Sequence, residues 1–193
     1  MTARLVRPDE HSAATAVIGS AFAQDPAFVW IFDDDTTRPA LVNFFMSLVV
    51  KSSAASGQCY VTPDLGAAAL WAAPGRDFSA GSTGQLIGAL IFGAQPVRAA
   101  EIGAFFGEVR NCRPAEPHWY LSLIGASRPG SGAGAKVIEP VLRTCDTTGE
   151  LAYLESSNPR NIGFYERLGF EPTAELRPDS QGPLLTTMVR QPN

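Results

Sequence analysis

The sequence predicts a mixed α/β fold, one central sheet with helices on both faces, and three observations point there. Short runs rich in branched and aromatic residues alternate with longer segments whose apolar residues recur every three or four positions. A hairpin pattern occupies residues 58–73, where Asp64-Leu65-Gly66 reverses the chain between two strand-like arms. Residues 118–145 then place a strand, a glycine-rich loop and an amphipathic helix in direct succession. With 193 residues, 45% of them hydrophobic, the chain has material for one well-buried domain, and we read residues 1–193 as that unit.

Each element has its own signal. Arg4-Leu5-Val6-Arg7 alternates polar and apolar, as a half-buried first strand does. Pro8-Asp9-Glu10 opens a helix running to about Ala23, with Ala14, Val17, Ile18, Ala21 and Phe22 on its apolar side. Asp25-Pro26 breaks that helix, and Phe28, Trp30 and Phe32 follow beside the acids Asp33, Asp34 and Asp35. Two readings stay open for this stretch: a pocket in which Phe28 and Trp30 receive a cationic amine, or a packed turn with a solvated acidic tip. Residues 38–51 read as a second helix through Leu41, Phe44, Phe45, Leu48 and Val49. The hairpin arms are residues 58–62 and 67–73, the second alanine-rich and carrying Trp71. Residues 74–84 are turn-rich, and residues 85–110 form a helical pattern broken near Gln95-Pro96. Beyond the glycine loop come a strand at 151–155 and two more at 172–176 and 184–189, around a loop containing Pro178, Gly182 and Pro183.

Composition excludes several functions. A net charge of -4 offers no basic surplus for nucleic acid. The first residues lack the three regions of a signal peptide, and no apolar run reaches bilayer-spanning length, so no membrane partner is expected. The three cysteines, Cys59, Cys112 and Cys145, have no metal-ligand spacing, and only two histidines are present. A reduced, cytoplasmic protein without a metal, monomeric or homodimeric, is the expectation.

The chemistry centres on His118-Trp119-Tyr120-Leu121-Ser122-Leu123-Ile124, the loop Gly130-Ser131-Gly132-Ala133-Gly134 and the helix after it. Glycines let the main chain approach an anion, and the first N–H groups of a helix have no intrahelical acceptors, so they face a phosphate with the helix dipole behind them. The Lys-Ser/Thr pair of a Walker loop is missing, and a dinucleotide fingerprint spaces its glycines differently. Downstream, a strand ends in Leu154-Glu155 and leads to Asn158-Pro159-Arg160-Asn161-Ile162-Gly163-Phe164-Tyr165, closing on Gly169-Phe170.

That combination of glycine loop, strand end, Asn-x-x-Phe-Tyr stretch and Gly-Phe resembles the GNAT superfamily of acetyl-CoA-dependent N-acetyltransferases. Residues 112–121 and 158–170 resemble in particular its puromycin-type, antibiotic-modifying subgroup. The resemblance implies a GNAT-type mixed, mostly antiparallel sheet splayed at the cofactor strand, with residues 1–117 as the acceptor-side half and 118–193 as the acetyl-CoA side. It implies transfer of an acetyl group from acetyl-CoA to a primary amine of a small molecule, by direct attack in a ternary complex. The thioester then lies along Ile124, Gly125 and Ala126, and the diphosphate over Gly130, Ser131, Gly132, Ala133 and Gly134, helped by Arg128. Tyr165 is the general acid, a phenol with a pKa near 10 that protonates a thiolate. Asn161 hydrogen-bonds strand backbone or cofactor. Glu155 either takes the amine's proton or anchors its ammonium form, and the arm carrying Trp71 ends close to the acceptor, where Trp71 either walls the site or packs in the sheet. One departure stands out: Pro129 occupies the place of the superfamily's basic or amide residue, in a short loop. It motivates an alternative, a non-catalytic acyl-CoA-binding module; acetylation of a protein or peptide is a third reading, against which a lid at residues 85–110 argues.

Overall fold

The computed structural model of the protein describes residues 2–77, 81–177 and 182–193. Pro178 and part of the turn-rich stretch after Pro74 therefore lie outside the described residues. The helices in chain order are α1 (His11–Phe22), α2 (Pro26–Ile31), α3 (Arg38–Ala55), α4 (Ser82–Ala94), α5 (Ala99–Asn111), α6 (Ala133–Thr148) and α7 (Ile162–Glu166). The strands are β1 (Arg4–Leu5), β2 (Cys59–Val61), β3 (Ala67–Ala72), β4 (His118–Ala126), β5 (Leu151–Ser156), β6 (Glu171–Leu176) and β7 (Leu185–Arg190). They make a seven-stranded sheet in the order β1-β2-β3-β4-β5-β7-β6. Every neighbouring pair is antiparallel except β4 with β5, the pair joined by the α6 crossover.

Side-chain alternation along the central strand β3 divides the interior in two. Ala68 and Leu70 face a core shared with Ile18 of α1, Phe28 of α2, Met46 of α3, Ile91 of α4 and Ile102 of α5. Ala67, Ala69 and Trp71 face the opposite core, with Val137 and Val141 of α6, Tyr165 of α7 and Leu154 of β5. All six residues of β3 are buried, which explains its alanine content: small side chains let helices close on both faces.

The mixed sheet with helices on both faces agrees with the sequence reading, as does the break between α4 and α5. One element differs. Residues 26–31 form a helix rather than a turn, because Asp25 accepts the Ala27 amide at 2.9 Å and Pro26 occupies the first helical turn. Residues 8–10 form a 3₁₀ turn leading into α1.

Two irregularities shape the sheet around β4. A bulge leaves Ser122 without a partner between the pairs Leu70↔Leu123 and Trp71↔Leu121, its hydroxyl donating to the Leu70 carbonyl at 3.0 Å. Consequently Leu121 and Leu123, two residues apart, enter opposite cores. On the other side, β4 pairs with β5 only through His118↔Leu151, Trp119↔Ala152 and Tyr120↔Tyr153. Past that point β4 continues to Ala126 and β5 to Ser156 without pairing each other, so the sheet splays there.

Candidate active site

The splay leaves main-chain donors and acceptors of β4 facing an open seam, and the loop after β4 runs beside the β2–β3 turn into α6. Gly130 and Gly132 have φ of +80° and +79°, a conformation that side chains resist, so glycine is required for the loop to turn into α6. Gly134 has a different reason: a Cβ there meets the Phe164 ring at 3.2 Å, so its absence lets α6 and α7 close together. Among the described residues, no hydrogen bond engages the amides of Gly130, Gly132, Gly134 or Ala135. The Ser131 hydroxyl donates to the Arg128 carbonyl at 2.7 Å and receives the Ala133 amide at 3.4 Å. Four unengaged amides at a helix N-terminus suit a diphosphate.

Two cations stand beside them. Exposed Arg128 and Lys136 line a recess of about 330 Å³ with Ser131, Ala133 and Asp64. Lys136 was not singled out in the sequence. Its place in the first turn of α6 is the unfavourable end of the helix dipole for a cation, which is sensible where an anion binds.

Tyr165 lies on the α6 side of the splay, buried against Phe164 and Phe170 at ring distances of 5.1 and 6.0 Å. Burial and the nearby Asp25 charge push its phenol well above the usual range, so the hydroxyl stays protonated through neutral pH. Asp25 approaches from the opposite side of the sheet. The Ser157 hydroxyl lies 2.7 Å from both of its carboxylate oxygens, and burial raises its pKa. The sequence reading missed this pair, because the two residues are 132 positions apart and only the splayed end of β5 brings them together.

Glu155 sits between these groups and the apex of the splay, its side chain 5% exposed. Burial raises its pKa, and Arg113 together with the hydroxyls of Tyr120 and Tyr153 opposes that rise. Beyond the end of β5, a cavity of about 560 Å³ is lined by Pro26, Ser157, Ile162, Thr173, Leu184 and Thr186 among others, with Glu175 its charged residue. No cation appears among its described lining residues.

The remaining expected site residues have other surroundings. Ile124 and Ala126 pack at the margin of the α6 core. Gly125 faces α1, where a Cβ meets the Ile18 Cα at 2.9 Å, so close helix packing accounts for this glycine. Asn161 is exposed at the end of a 3₁₀ turn, Pro159–Asn161, which Asn158 caps; among the described residues the Asn161 side chain makes no hydrogen bond to strand backbone. Phe28 is buried edge-to-face between Phe22 and Phe45. Trp30 does meet a cation, but it is the chain's own Arg98, 4.7 Å above the ring, whose guanidinium also donates to the Trp30 carbonyl. Trp71 is fully buried in the α6 core and has no surface to offer an acceptor. Phe28 and Trp71 are thus both packed in the interior. The acids are likewise engaged: Asp33 with Gln95 and Arg98, Asp35 with Arg38.

No protein-family model matches the chain. An uncharacterized N-acetyltransferase of Schizosaccharomyces pombe is 27% identical over an alignment of 212 positions, covering 100% of this chain and 84% of the relative. Among solved structures, one described as histone acetyltransferase HPA2 and related acetyltransferase from Corynebacterium glutamicum matches with a TM-score of 0.72 at 23% identity, over 100% of this chain and 96% of the other. Arylalkylamine N-acetyltransferase 2 of Aedes aegypti matches with a TM-score of 0.65 at 12% identity, over 99% and 98%. The Drosophila melanogaster polyamine N-acetyltransferase matches with a TM-score of 0.59 at 16% identity, over 98% of both chains. The architecture is thus that of the GNAT-type acetyltransferases. Relative and neighbours alike are N-acetyltransferases, in keeping with an acyltransferase enzyme.

Proposed function

We propose that this protein transfers an acetyl group from acetyl-CoA to a primary amine of a small molecule, by direct attack within a ternary complex. The observation that carries the reading is the splay of β4 from β5, with Tyr165 on one side and the Asp25–Ser157 pair on the other. The coenzyme's diphosphate belongs on the loop amides, with Arg128 and Lys136 beside it, and its pantetheine arm along the open edge of β4. Bound there, acetyl-CoA supplies an activated acyl group and a thiolate leaving group. The protein's residues do the rest. Main-chain amides on the β4 edge polarise the carbonyl. Asp25, held by Ser157, or Glu155 accepts a proton from the incoming ammonium, and their elevated pKa values bring them toward the range of a useful base. Tyr165 donates its proton to the departing sulfur and regains one through solvent as the acylated nitrogen gives up its second proton. The burial that raises the phenol's pKa also raises a thiolate's basicity, so the transfer stays balanced.

The cavity beside Ser157, with a carboxylate and no described cation in its lining, suits a compact amine. The named substrates of the neighbours, polyamines and arylalkylamines, fall in that class. A thiol-release assay across an amine panel, with calorimetry for acetyl-CoA, tests the reading. Turnover that collapses in Tyr165→Phe supports it. Absent acetyl-CoA binding rejects it, and binding without turnover on any amine would leave the non-catalytic alternative in its place.

A further inference from the structure

Residues 112–114 were conspicuous in the sequence but have no part in the mechanism so far. The structure gives Arg113 one. Leaving the end of α5, its guanidinium lies over the Tyr120 ring at 3.9 Å and points its Nε at the Glu155 Oε1, 3.8 Å away. The Arg113 side chain is 17% exposed and that of Glu155 5%. Neither facing atom has a hydrogen-bond partner, so the pair is held by charge and by the aromatic ring rather than by a closed fork.

We infer that Arg113 is a positioning residue that keeps Glu155 ionised and oriented at the apex of the splay. The inference rests on the proposed reading only for its catalytic consequence. A carboxylate so deeply buried loses its charge unless something nearby favours the anion. The groups facing Glu155 are few: Tyr120 from β4 and Tyr153 from β5 through their hydroxyls, and Arg113 from the loop after α5. Among the described residues, Arg113 is the one cation of these. Asp77 and Cys112 act one step out, Asp77 on the guanidinium and Cys112 on Tyr153, whose hydroxyl donates to the Cys112 carbonyl at 3.3 Å. His118 packs edge-on against the Tyr153 ring, with its Nδ1 toward the Glu116 carbonyl. The same contact ties the end of the α4–α5 unit to β5, so the element above the acceptor side and the buried acid are set by one side chain.

The test is a carbon-13 carboxyl NMR titration of the ligand-free protein, with Glu155 assigned by Glu155→Gln. In wild type Glu155 is ionised at pH 7. In Arg113→Gln its midpoint moves up by at least one pH unit, and Arg113→Lys restores most of the difference. The acid limb of kcat/KM follows the same order, with activity at pH 6 down at least tenfold in Arg113→Gln and recovering as the pH rises, while the KM for acetyl-CoA is unchanged. A Glu155 still protonated at pH 7 in wild type overturns the inference even if the glutamine variant fails to fold, as does an unmoved midpoint in a folded one. A moved midpoint without turnover on any amine leaves the inference standing and removes the transferase reading instead.

Discussion

Asp25 joins three tasks in one side chain: it caps α2 through the Ala27 amide, takes the Ser157 hydroxyl, and raises the pKa of Tyr165 across the splay. Burial holds its own pKa, and that of Glu155, above the values they have in the unfolded chain. The folded state therefore binds more protons between those two values. Each acid lowers stability at neutral pH, and the loss is recovered as pH falls through the folded pKa. Glu10 behaves in the opposite sense: bonds from Arg4 and the Arg7 amide hold it at about 2, so its contribution is full at neutral pH and lost as pH drops from the ordinary glutamate range toward about 2. Asp25→Asn keeps a competent helix cap while removing a buried charge. Its melting temperature is expected to rise at pH 7, with the gain shrinking at mildly acidic pH, while kcat/KM falls about 10- to 100-fold; calorimetric melts at two pH values and steady-state kinetics check both signs. Tyr165→Phe removes only the hydroxyl of a buried ring. A drop in kcat of about 10²- to 10⁴-fold with unchanged acetyl-CoA affinity is expected, and stopped-flow or steady-state thiol release measures it.

The α6 N-terminus illustrates what sequence carries and what it withholds at the level of elements. The strand, loop and helix were legible because apolar periodicity and glycine spacing are local, and Gly130 and Gly132 do take the left-handed conformations that such a turn needs. Gly125 carried the same letter for a different cause, the approach of α1, which no local pattern reveals. Helix α2 was hidden because Phe28, Trp30 and Phe32 read as a cluster of aromatics, whereas the deciding signal was the Asp25-Pro26 pair in front of them. The ligand sought for Trp30 was already in the chain as Arg98, 68 residues away, and no spacing rule could supply it. The Ser122 bulge was equally invisible, since its evidence is the register of β3. Lys136 offers a check on the loop's purpose. Lys136→Glu relieves an unfavourable dipole contact, so the ligand-free protein should gain about 0.3–1 kcal/mol, while acetyl-CoA binding weakens several-fold. Denaturant melts and calorimetry should move in opposite directions, and a parallel change would remove the loop's anion role.

At the scale of the whole molecule, the sheet is built from two strand groups, β1 to β4 and β5 to β7, that share three residue pairs. Helix α1 lies against β3 and β4 and α3 against β3, while α6 packs across β3, β4 and β5, and β7 secures the other edge of β5. A substrate that threads the seam touches both groups, and its affinity adds directly to their cohesion, since any ligand preferring the native state stabilises it by mass action. Within 121–126 of β4 and 154–156 of β5, the backbone amides that face the seam rather than β3 or β7 are thus expected to exchange faster than those paired across β3 and β7, and to slow when acetyl-CoA is added; hydrogen–deuterium exchange with and without the coenzyme reads this, and slowing confined to the glycine loop would show that the arm does not enter. The consequence reaches beyond catalysis. On the proposed function, a coenzyme clasping both groups would leave the loaded protein slower to be degraded than the empty one.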